Sequence, residues 1–205
     1  MDPRIETVIQ DYEARAASEE QRIRNLNPAE AFKHVDEFLL PIGRATGTVL
    51  NVLIKEAKAK RILEIGTSYG YSTVWLAEAA AETGGKVISM ELRPAKIDYA
   101  KQQLARAGLA QHVEFHVGDA LAILKALSGQ FDFVLLDLFK ELYVPCLDIF
   151  YPRLKPGALI AADNMLEPEF SRPASEAYRQ YVHTKKDISS ILLPLGSGIE
   201  LSRYK

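Results

Sequence analysis

The chain has 205 residues, of which only one is a cysteine, and it contains no long apolar run. A single cysteine excludes an internal disulfide, and Cys146, inside the apolar segment YVPCLDIF, is interpreted as a small core residue rather than a nucleophile. No segment approaches the roughly 20 apolar residues that cross a bilayer, and the first residues lack the apolar centre of a signal peptide. We therefore expect no membrane partner and a reducing, cytoplasmic setting.

Positive charge is also scarce, since 25 Lys and Arg residues face 27 Asp and Glu residues and the formal net charge is -2. Proteins that bind duplexes usually show a basic stripe, because neutralising phosphates supplies most of their affinity. The densest basic group here, Lys55, Lys58, Lys60 and Arg61, is interpreted as the solvated end of a helix. Nucleic acid is therefore not an expected partner.

A chain of this length that is 48% hydrophobic can bury one sizeable core, which predicts a single domain over 1–205. Apolar residues at helical spacing predict helices throughout the first part, 1–58. One helix is indicated by Ile5, Val8, Ile9 and Tyr12, and TGTVLNVLIKEAKAK forms another. Between them, a second helical segment begins at Pro28 and contains Phe32, Val35, Phe38 and Leu39.

Strand and helix patterns alternate through the second part, 59–205. The predicted strands are RILEI, KVISME, VEFHV, FDFVLLD, GALIAAD, SSILLPL and IELSRY, and the turn GSG joins the last two into a hairpin. The predicted helices between them are YSTVWLAEAAAE, PAKIDYAKQQLARAG, DALAILKALSG, VPCLDIFYPRL and PASEAYRQYVHTK. Apolar strands alternating with helices are typical of a mainly parallel sheet covered on both faces. The sequence therefore predicts an α/β fold, to which the hairpin adds an antiparallel edge.

In open α/β sheets, ligands bind at the carboxyl ends of the strands. The turn after the first predicted strand contains Gly66, which lets backbone approach a ligand, and Gly70, which permits a tight entry into the next helix. Ser72 offers a hydroxyl at that helix N-terminus, where free backbone donors favour a carboxylate. The turn has neither the dinucleotide G-x-G-x-x-G spacing nor a P-loop lysine, and two glycines alone also fit an ordinary tight turn.

Acidic residues follow the next two strands. Glu91 ends the second strand, 21 residues after Gly70, where a carboxylate can accept hydrogen bonds from ribose hydroxyls. Asp119, between Gly118 and Ala120 after the third strand, either caps the following helix or accepts from an adenine amino group. With the glycine turn, these residues indicate an adenosine-bearing ligand held without phosphate-specific groups. S-adenosylmethionine fits this description better than NAD.

Two carboxylates and an amide, Asp137, Asp163 and Asn164, follow the fourth and fifth strands. Neighbouring parallel strands would bring these side chains together beside the glycine turn. Hard oxygen ligands without cysteine or histidine suit Mg²⁺ rather than Zn²⁺. Each residue alone is also consistent with capping a turn, but three at adjacent strand ends favour a divalent-cation site.

Lys140 stands three residues after Asp137, in the loop over the same crevice. A nearby divalent cation disfavours its ammonium form, which makes Lys140 a candidate general base, although it also fits a plain surface lysine. Phe139 beside it offers either a flat wall for an aromatic ring or a core contact.

The chain resembles the catechol O-methyltransferase and caffeoyl-CoA O-methyltransferase family over roughly residues 38–205. The resemblance is carried by ILEIGTSYGYSTVWLA, Glu91, GDA, FDFVLLDLFKELYVP, LKPGALIAADN and LLPLGSGIELS. Its most specific part is D-x-x-K followed by D-N, with Asp137, Lys140, Asp163 and Asn164 at the family's positions.

The resemblance implies the Rossmann-like fold of class I S-adenosylmethionine methyltransferases, with seven strands of which the last is antiparallel. It implies methyl transfer to a hydroxyl of a small, phenolic or catechol-like acceptor, leaving S-adenosylhomocysteine, and it implies a homodimer. A divalent cation, usually Mg²⁺, would be held by Asp137, Asp163 and Asn164. Lys140 would take the hydroxyl proton, and we expect the acceptor to contact Phe139, Lys140 and Asn164. In addition to Asp119, the implied cofactor contacts are Ile42, Glu64, Gly66, Ser72, Glu91, Ala120 and Asp137.

The chain departs from the family at four places, one of which is the final turn, Gly196-Ser197-Gly198, where relatives usually have Gly-Asp-Gly. Leu138 and Phe139 stand where the animal catechol enzymes have a histidine and a tryptophan and many bacterial relatives have Ala-Asp. After Asn164, the segment MLEPEFSRP lacks the tryptophan-glycine loop of the plant and bacterial enzymes. Where the catechol enzymes bind the second hydroxyl with a glutamate, the best match here is His183. A planar acceptor is therefore expected, and a strict catechol is not required.

Two other functions are compatible with parts of the sequence. One is methylation of a hydroxylated RNA nucleoside, against which the acidic charge balance argues. The other is a non-catalytic module that binds S-adenosylmethionine without turning it over. The complete set of Asp137, Lys140, Asp163 and Asn164 argues against such a module.

Overall fold

A computed structural model describes residues 1–27, 30 and 33–205, so Pro28 and Phe32 of the predicted second helix lie outside the described residues. The last three residues of that prediction do not continue an α-helix, because Val35 begins a 3-10 turn and Phe38 and Leu39 lie outside any helix. The helices are α1 (Pro3–Arg24), α2 (Arg44–Glu56), α3 (Tyr71–Thr83), α4 (Pro94–Arg106), α5 (Ala120–Ala126), α6 (Tyr143–Phe150) and α7 (Arg172–His183). The strands are β1 (Arg61–Ile65), β2 (Lys86–Glu91), β3 (Val113–Val117), β4 (Phe131–Leu136), β5 (Leu154–Ala162), β6 (Ile188–Leu193) and β7 (Ile199–Tyr204).

The seven strands form one sheet in the order β3-β2-β1-β4-β5-β7-β6. The first five strands pair in parallel, and β7 is antiparallel to both of its neighbours. The chain runs outward from β1 to β3 and then returns to β4 on the other side of β1. Ligand sites in such sheets lie at this reversal of strand order, outside the carboxyl ends of the strands. The predicted Rossmann-like α/β fold, with its antiparallel last strand, is confirmed.

The sheet separates two apolar cores because successive strand residues point to opposite faces. Ile62 and Phe133 face one core, which contains the buried residues of α1, α2, α3 and α4. Leu63 and Val134 face the other core, which α5, α6 and α7 cover. Glu64 interrupts the apolar run that follows Arg61 in β1, and it is fully buried near the carboxyl end of the strand.

Proline explains why one of the predicted helices ends early. The segment VPCLDIFYPRL was predicted as a single helix, but α6 ends at Phe150 and residues 151–153 form a 3-10 turn. Pro152 has no amide hydrogen for a continuing helix. The next strand consequently begins at Leu154, three residues before the predicted Gly157.

The basic group and the single cysteine lie largely where the sequence placed them, except that Arg61 begins β1. Lys55, near the end of α2, pairs with Glu78 and Glu82 at 2.8 and 2.7 Å, so the basic group starts at a helix end as predicted. Cys146 is fully buried in α6. None of the helices within the described residues combines the length and the apolar character of a membrane span.

Gly47 marks the close crossing of α2 and α3. A Cβ at this position would lie 2.5 Å from Nε1 of Trp75, a rigid side chain that is 3% exposed. Alanine normally stabilises a helix by about 1 kcal/mol relative to glycine, but overpacking a core costs about 1–3 kcal/mol. We expect Gly47→Ala to lower the free energy of unfolding by roughly 1–2 kcal/mol in urea titrations.

The matched control uses the Trp75→Phe background, which removes Nε1 and Cε2, two of the three ring atoms nearest to Gly47. There the same glycine-to-alanine change should cost less stability than in the wild type, because a smaller clash opposes the gain in helix propensity. A Gly47→Ala chain more stable than the wild type would contradict the close packing of α2 on α3.

Candidate active site

The turn between β1 and α3 lies directly against the end of β4. Gly66 has a φ of +103°, and a Cβ there would lie 1.9 Å from the carbonyl oxygen of Asp137. Any side chain at position 66 would overlap that carbonyl, so the glycine interpreted as room for a ligand is required first for this backbone contact. Gly70 closes the other end of the turn, where a Cβ would meet that of Ala100 at 2.6 Å.

Beneath this turn, Glu64 is a wholly buried carboxylate surrounded by hydroxyl groups. Its Oε1 accepts from Ser72 Oγ at 2.6 Å, and its Oε2 accepts from Thr73 Oγ1 at 2.6 Å and from Ser89 Oγ at 2.5 Å. Burial raises the pKa of Glu64 to about 7, although the three hydroxyl donors act in the opposite direction. The predicted cofactor residues Glu64 and Ser72 are thus bonded to each other, and the network ties β1 and β2 to the start of α3.

The acidic residues predicted to bind an adenosine lie at the ends of β2 and β3. Glu91 accepts from the backbone nitrogen atoms of Ser68 and Arg93, each at 3.0 Å, which holds its carboxylate against the glycine turn. Asp119 accepts from the backbone nitrogen of Ala122 at 2.8 Å and caps α5, one of the two roles the sequence left open. Ala120 begins the helix beside it.

A narrow pocket lies between the glycine turn, the end of β4 and the segment that precedes α2. Its lining residues are Leu39, Leu40, Pro41, Ile42, Thr67, Ser68, Tyr69, Tyr71, Ser72 and Asp137. The fold therefore brings together Ile42, Ser72 and Asp137, three predicted cofactor contacts that are far apart in the sequence. The pocket residues 39–41 were not predicted, because no spacing or motif marks them.

Lys140 lies directly above the ends of β4 and β5. Its Nζ donates to the carbonyl oxygen of Leu138 at 3.1 Å, to the Tyr143 hydroxyl oxygen at 2.6 Å and to Asn164 Oδ1 at 2.9 Å. Nζ also lies 3.9 Å from Asp137 Oδ1. Burial lowers the pKa of Lys140, while the nearby carboxylates raise it. The structure thus brings Asp137, Lys140 and Asn164 into one cluster.

Asp163 completes this cluster from the end of β5 and is 2% exposed. Its backbone nitrogen donates to the carbonyl oxygen of Leu136 at 3.0 Å, which fixes it beside the end of β4. Burial, and after it the neighbouring Asp137 carboxylate, raise the pKa of Asp163 to about 7, and burial also raises the pKa of Asp137. Of these two neighbouring carboxylates, Asp163 is buried and the Asp137 side chain is 23% exposed. A positive charge nearby favours their ionised forms, and Lys140 supplies one.

The cluster fits a hard divalent cation. Its donors are the carboxylates of Asp137 and Asp163 and the amide oxygen of Asn164, the oxygen set that Mg²⁺ prefers. One of these atoms, Asp163 Oδ1, is buried without a hydrogen-bond partner among the described residues. Over residues 1–27, 30 and 33–205 there is no group of three or more His, Cys, Asp or Glu side chains suited to a metal. A cation here therefore depends on the amide as its third protein donor.

Two side chains that contact the cluster were missed in the sequence. The Tyr143 hydroxyl is fully buried between Lys140 and two backbone carbonyls, and Ser175 Oγ donates to the backbone oxygen of Asn164 at 3.1 Å. The signal for Tyr143 was its position three residues after Lys140, since residues i and i+3 share a helical face. Ser175 gave no signal, because α7 brings it to Asn164 only in the folded chain.

Phe139 and His183, both proposed to contact an acceptor, differ in position. Phe139 stands beside Lys140 and is 59% exposed, so it is not the core residue that the sequence allowed as an alternative. His183 ends α7, about 12 Å along the helix axis from Ser175. Its Nε2 lies 3.0 Å from Glu200 Oε1, and the structure does not bring it to the cluster.

The geometry at the strand ends agrees with the sequence comparison. The sequence model of the O-methyltransferase family matches residues 13–205. This chain belongs to the O-methyltransferase family. The match includes Asp137, Lys140, Asp163 and Asn164, and the family membership predicted from the sequence is confirmed.

Named relatives of this O-methyltransferase family member come from bacteria and plants. The catechol O-methyltransferase of Mycobacterium tuberculosis is 38% identical over 128 residues, which cover 62% of this chain and 58% of the relative. Caffeoyl-CoA O-methyltransferase 2 of Eucalyptus globulus is 30% identical over 178 residues, which cover 77% of this chain and 72% of the relative. The match thus spans less than two thirds of the length of the mycobacterial enzyme.

A solved structure supports the fold of this family member. The O-methyltransferase of Bacillus cereus, in complex with S-adenosylhomocysteine, aligns with a TM-score of 0.75 at 25% identity. The alignment covers 100% of this chain and 92% of that chain. With the observed strand order, this likeness confirms the predicted class I methyltransferase fold.

Glu64 makes the stability of this O-methyltransferase family member dependent on pH. Its pKa rises from 4.5 to about 7 on folding, so its stabilising contribution is complete below pH 4.5 and is lost as the pH rises through 7. A shift of this size corresponds to roughly 3 kcal/mol. Glu64→Gln cannot ionise, and we expect the free energy of unfolding of the wild type to fall relative to this variant between about pH 5 and about pH 8. Urea titrations in EDTA measure the difference.

The comparison isolates Glu64, because Asp137 and Asp163 titrate in both proteins. Thr73→Val is the matched control: it removes one hydroxyl donor from Glu64 Oε2 and keeps the carboxylate, which raises the pKa of Glu64 further. The loss of stability with rising pH should then extend to higher pH and become larger. A difference between the wild type and Glu64→Gln that stays constant over this pH range would contradict the raised pKa.

Proposed function

We propose that this chain is an S-adenosylmethionine-dependent O-methyltransferase that uses a divalent cation and methylates a hydroxyl of a small aromatic acceptor. The observation that carries the proposal is the meeting of Asp137, Lys140 and Asn164 beside the Gly66 turn. Relatives named for catechol and for caffeoyl-CoA support an aromatic acceptor. The Bacillus cereus relative, solved with S-adenosylhomocysteine, supports the cofactor.

The cofactor would occupy the pocket beside the glycine turn. Ile42 and Ser72 would border its amino-acid end, where the N-terminus of α3 favours a carboxylate. Each oxygen of Glu91 already accepts one backbone N–H and keeps acceptor capacity for a ribose hydroxyl. Asp119 uses one oxygen for its cap, which leaves the other for an adenine amino group. The remaining proposed contacts are Gly66, Ala120, Asp137 and Glu64, the last acting through Ser72.

A divalent cation, first of all Mg²⁺, would be held by Asp137, Asp163 and Asn164. When bound, it would supply a positive charge that lowers the pKa of an acceptor hydroxyl. S-adenosylmethionine supplies the electrophilic methyl carbon: the oxygen–carbon bond forms as the carbon–sulfur bond breaks, and the electron pair passes to sulfur.

The residues of this chain place the acceptor and move its proton. Lys140 Nζ takes the hydroxyl proton, and the burial that lowers its pKa favours the neutral amine that this step requires. Phe139 lies against the face of the acceptor ring. Fixed placement of the reacting groups is the largest expected contribution, since oriented reactants gain about 7–11 kcal/mol over a bimolecular encounter.

Formation of S-adenosylhomocysteine with a panel of phenols and catechols tests the function. We expect turnover with at least one acceptor in Mg²⁺ and loss of turnover in EDTA, because the acceptor hydroxyl then lacks the cation. Undiminished turnover in EDTA would refute the metal requirement, and cofactor binding without turnover of any acceptor would leave a binding module. A salt-dependent gel shift with tRNA would favour an RNA substrate instead. Sedimentation of the same preparation checks the homodimer that the family resemblance implies.

Lys140→Ala tests the base. We expect turnover to fall about 10²–10⁴-fold, the usual contribution of a positioned base, while the affinity for S-adenosylmethionine stays nearly unchanged. Calorimetry measures that affinity. Lys155→Ala is the matched control, because Lys155 pairs with Asp132 at 2.7 Å on a partly exposed surface and should not affect turnover. Unchanged turnover in Lys140→Ala would remove the base assignment.

A further inference from the structure

We propose that the Tyr143 hydroxyl is a positioning group that aims the Nζ atom of Lys140 at the acceptor hydroxyl. Tyr143 begins α6 and is fully buried. The inference rests on the proposed function, and it adds a residue to which neither the sequence motifs nor the named relatives give a role.

The directions around Lys140 Nζ carry the proposal. A lysine ammonium has three N–H donors, and here they go to the Leu138 carbonyl, the Tyr143 hydroxyl and Asn164 Oδ1. The Leu138 carbonyl is a backbone group and the Tyr143 side chain is fully buried, so both acceptors are held in place. The third is the amide oxygen proposed to bind the cation. With that oxygen bound to a cation, a neutral Lys140 amine keeps its two N–H donors on the Leu138 carbonyl and the Tyr143 hydroxyl, and its lone pair faces the side of Asn164, where the acceptor hydroxyl would lie.

The Tyr143 hydroxyl is itself fixed on several sides. A phenol oxygen has one proton, and because Lys140 donates to it, that proton goes to the carbonyl of Leu136 at 2.9 Å or of Asp163 at 3.1 Å. These carbonyls belong to the ends of β4 and β5, which carry the proposed cation ligands. The Tyr143 ring packs edge-to-face on Tyr178, with centroids 5.4 Å apart and planes at 87°. The hydroxyl therefore ties the lysine to the two strand ends.

The neighbouring tyrosine provides a matched comparison. Tyr178 is as buried as Tyr143, but its hydroxyl has no hydrogen-bond partner among the described residues. Removing either hydroxyl deletes the same atom from one of two rings that pack on each other. Only the Tyr143 hydroxyl contacts Lys140.

Tyr143→Phe removes the hydroxyl and keeps the ring. We expect kcat to fall about 10- to 100-fold, the scale of loss from a misplaced reacting group. KM values for the cofactor and the acceptor, and calorimetric affinities for Mg²⁺ and S-adenosylmethionine, should stay within about threefold, because only the step that uses Lys140 is affected. Tyr178→Phe should leave kcat unchanged.

A double-mutant cycle shows whether Tyr143 acts through Lys140. In the Lys140→Ala background, adding Tyr143→Phe should cost no further activity. An equal loss in that background, or a loss of Mg²⁺ affinity that parallels the loss of kcat, would overturn the proposal in favour of a structural role. A Tyr143→Phe chain that fails to bind S-adenosylmethionine, when Tyr178→Phe binds it, would have the same meaning.

The outcomes also separate this inference from the proposed function. A wild-type chain that methylates an acceptor, with a Tyr143→Phe variant equally active, would overturn only the role of Tyr143. A wild-type chain that methylates no acceptor would overturn the proposed function and this inference together.

Discussion

Two carboxylates and one lysine ammonium, enclosed at the carboxyl ends of β4 and β5, set the conditions for the rest of the site. Asp137 and Asp163 are like charges in a poorly solvated place, and burial raises the pKa of both. The positive charge of Lys140 offsets this repulsion, because its Nζ lies 3.9 Å from Asp137 Oδ1. A site that concentrates charge in this way suits the divalent cation proposed above, because a cation would add to the positive charge that Lys140 supplies.

Such a concentration of charge requires precise backbone support. Gly66 lets the β1 turn close onto the Asp137 carbonyl, and the Asp163 amide is bonded to the carbonyl of Leu136. Asn164 adopts a left-handed φ of +57°, with its carbonyl held by Ser175. Left-handed backbone is unfavourable for a side chain other than glycine, and it persists where the surrounding contacts enforce it. The candidate site therefore draws on the stability of the apolar sheet beneath it.

Buried polar groups beside the sheet also hold the strand ends in place. Glu64 interrupts the apolar run of β1, and its carboxylate is bonded to Ser72, Thr73 and Ser89. The Tyr143 hydroxyl likewise joins Lys140 to the carbonyls at the ends of β4 and β5. Buried polar groups with complete hydrogen bonding favour one arrangement of the chain over others, because any other arrangement leaves them unpaired. Both networks thus define the positions of strand ends rather than adding much net stability.

The sequence by itself determined the order of strands and helices, because burial on both faces leaves apolar runs and because proline and glycine mark the boundaries. It also indicated Asp137, Lys140, Asp163 and Asn164, since polar residues directly after apolar strands meet at one edge of a parallel sheet. Only the tertiary structure decided that Glu64 lies inside the fold, that Gly66 serves the Asp137 carbonyl, that His183 pairs with Glu200, and that Tyr143 and Ser175 support the cluster. These are contacts between segments distant in the chain or choices among several partners, and local sequence carries no record of which partner the packing brings near.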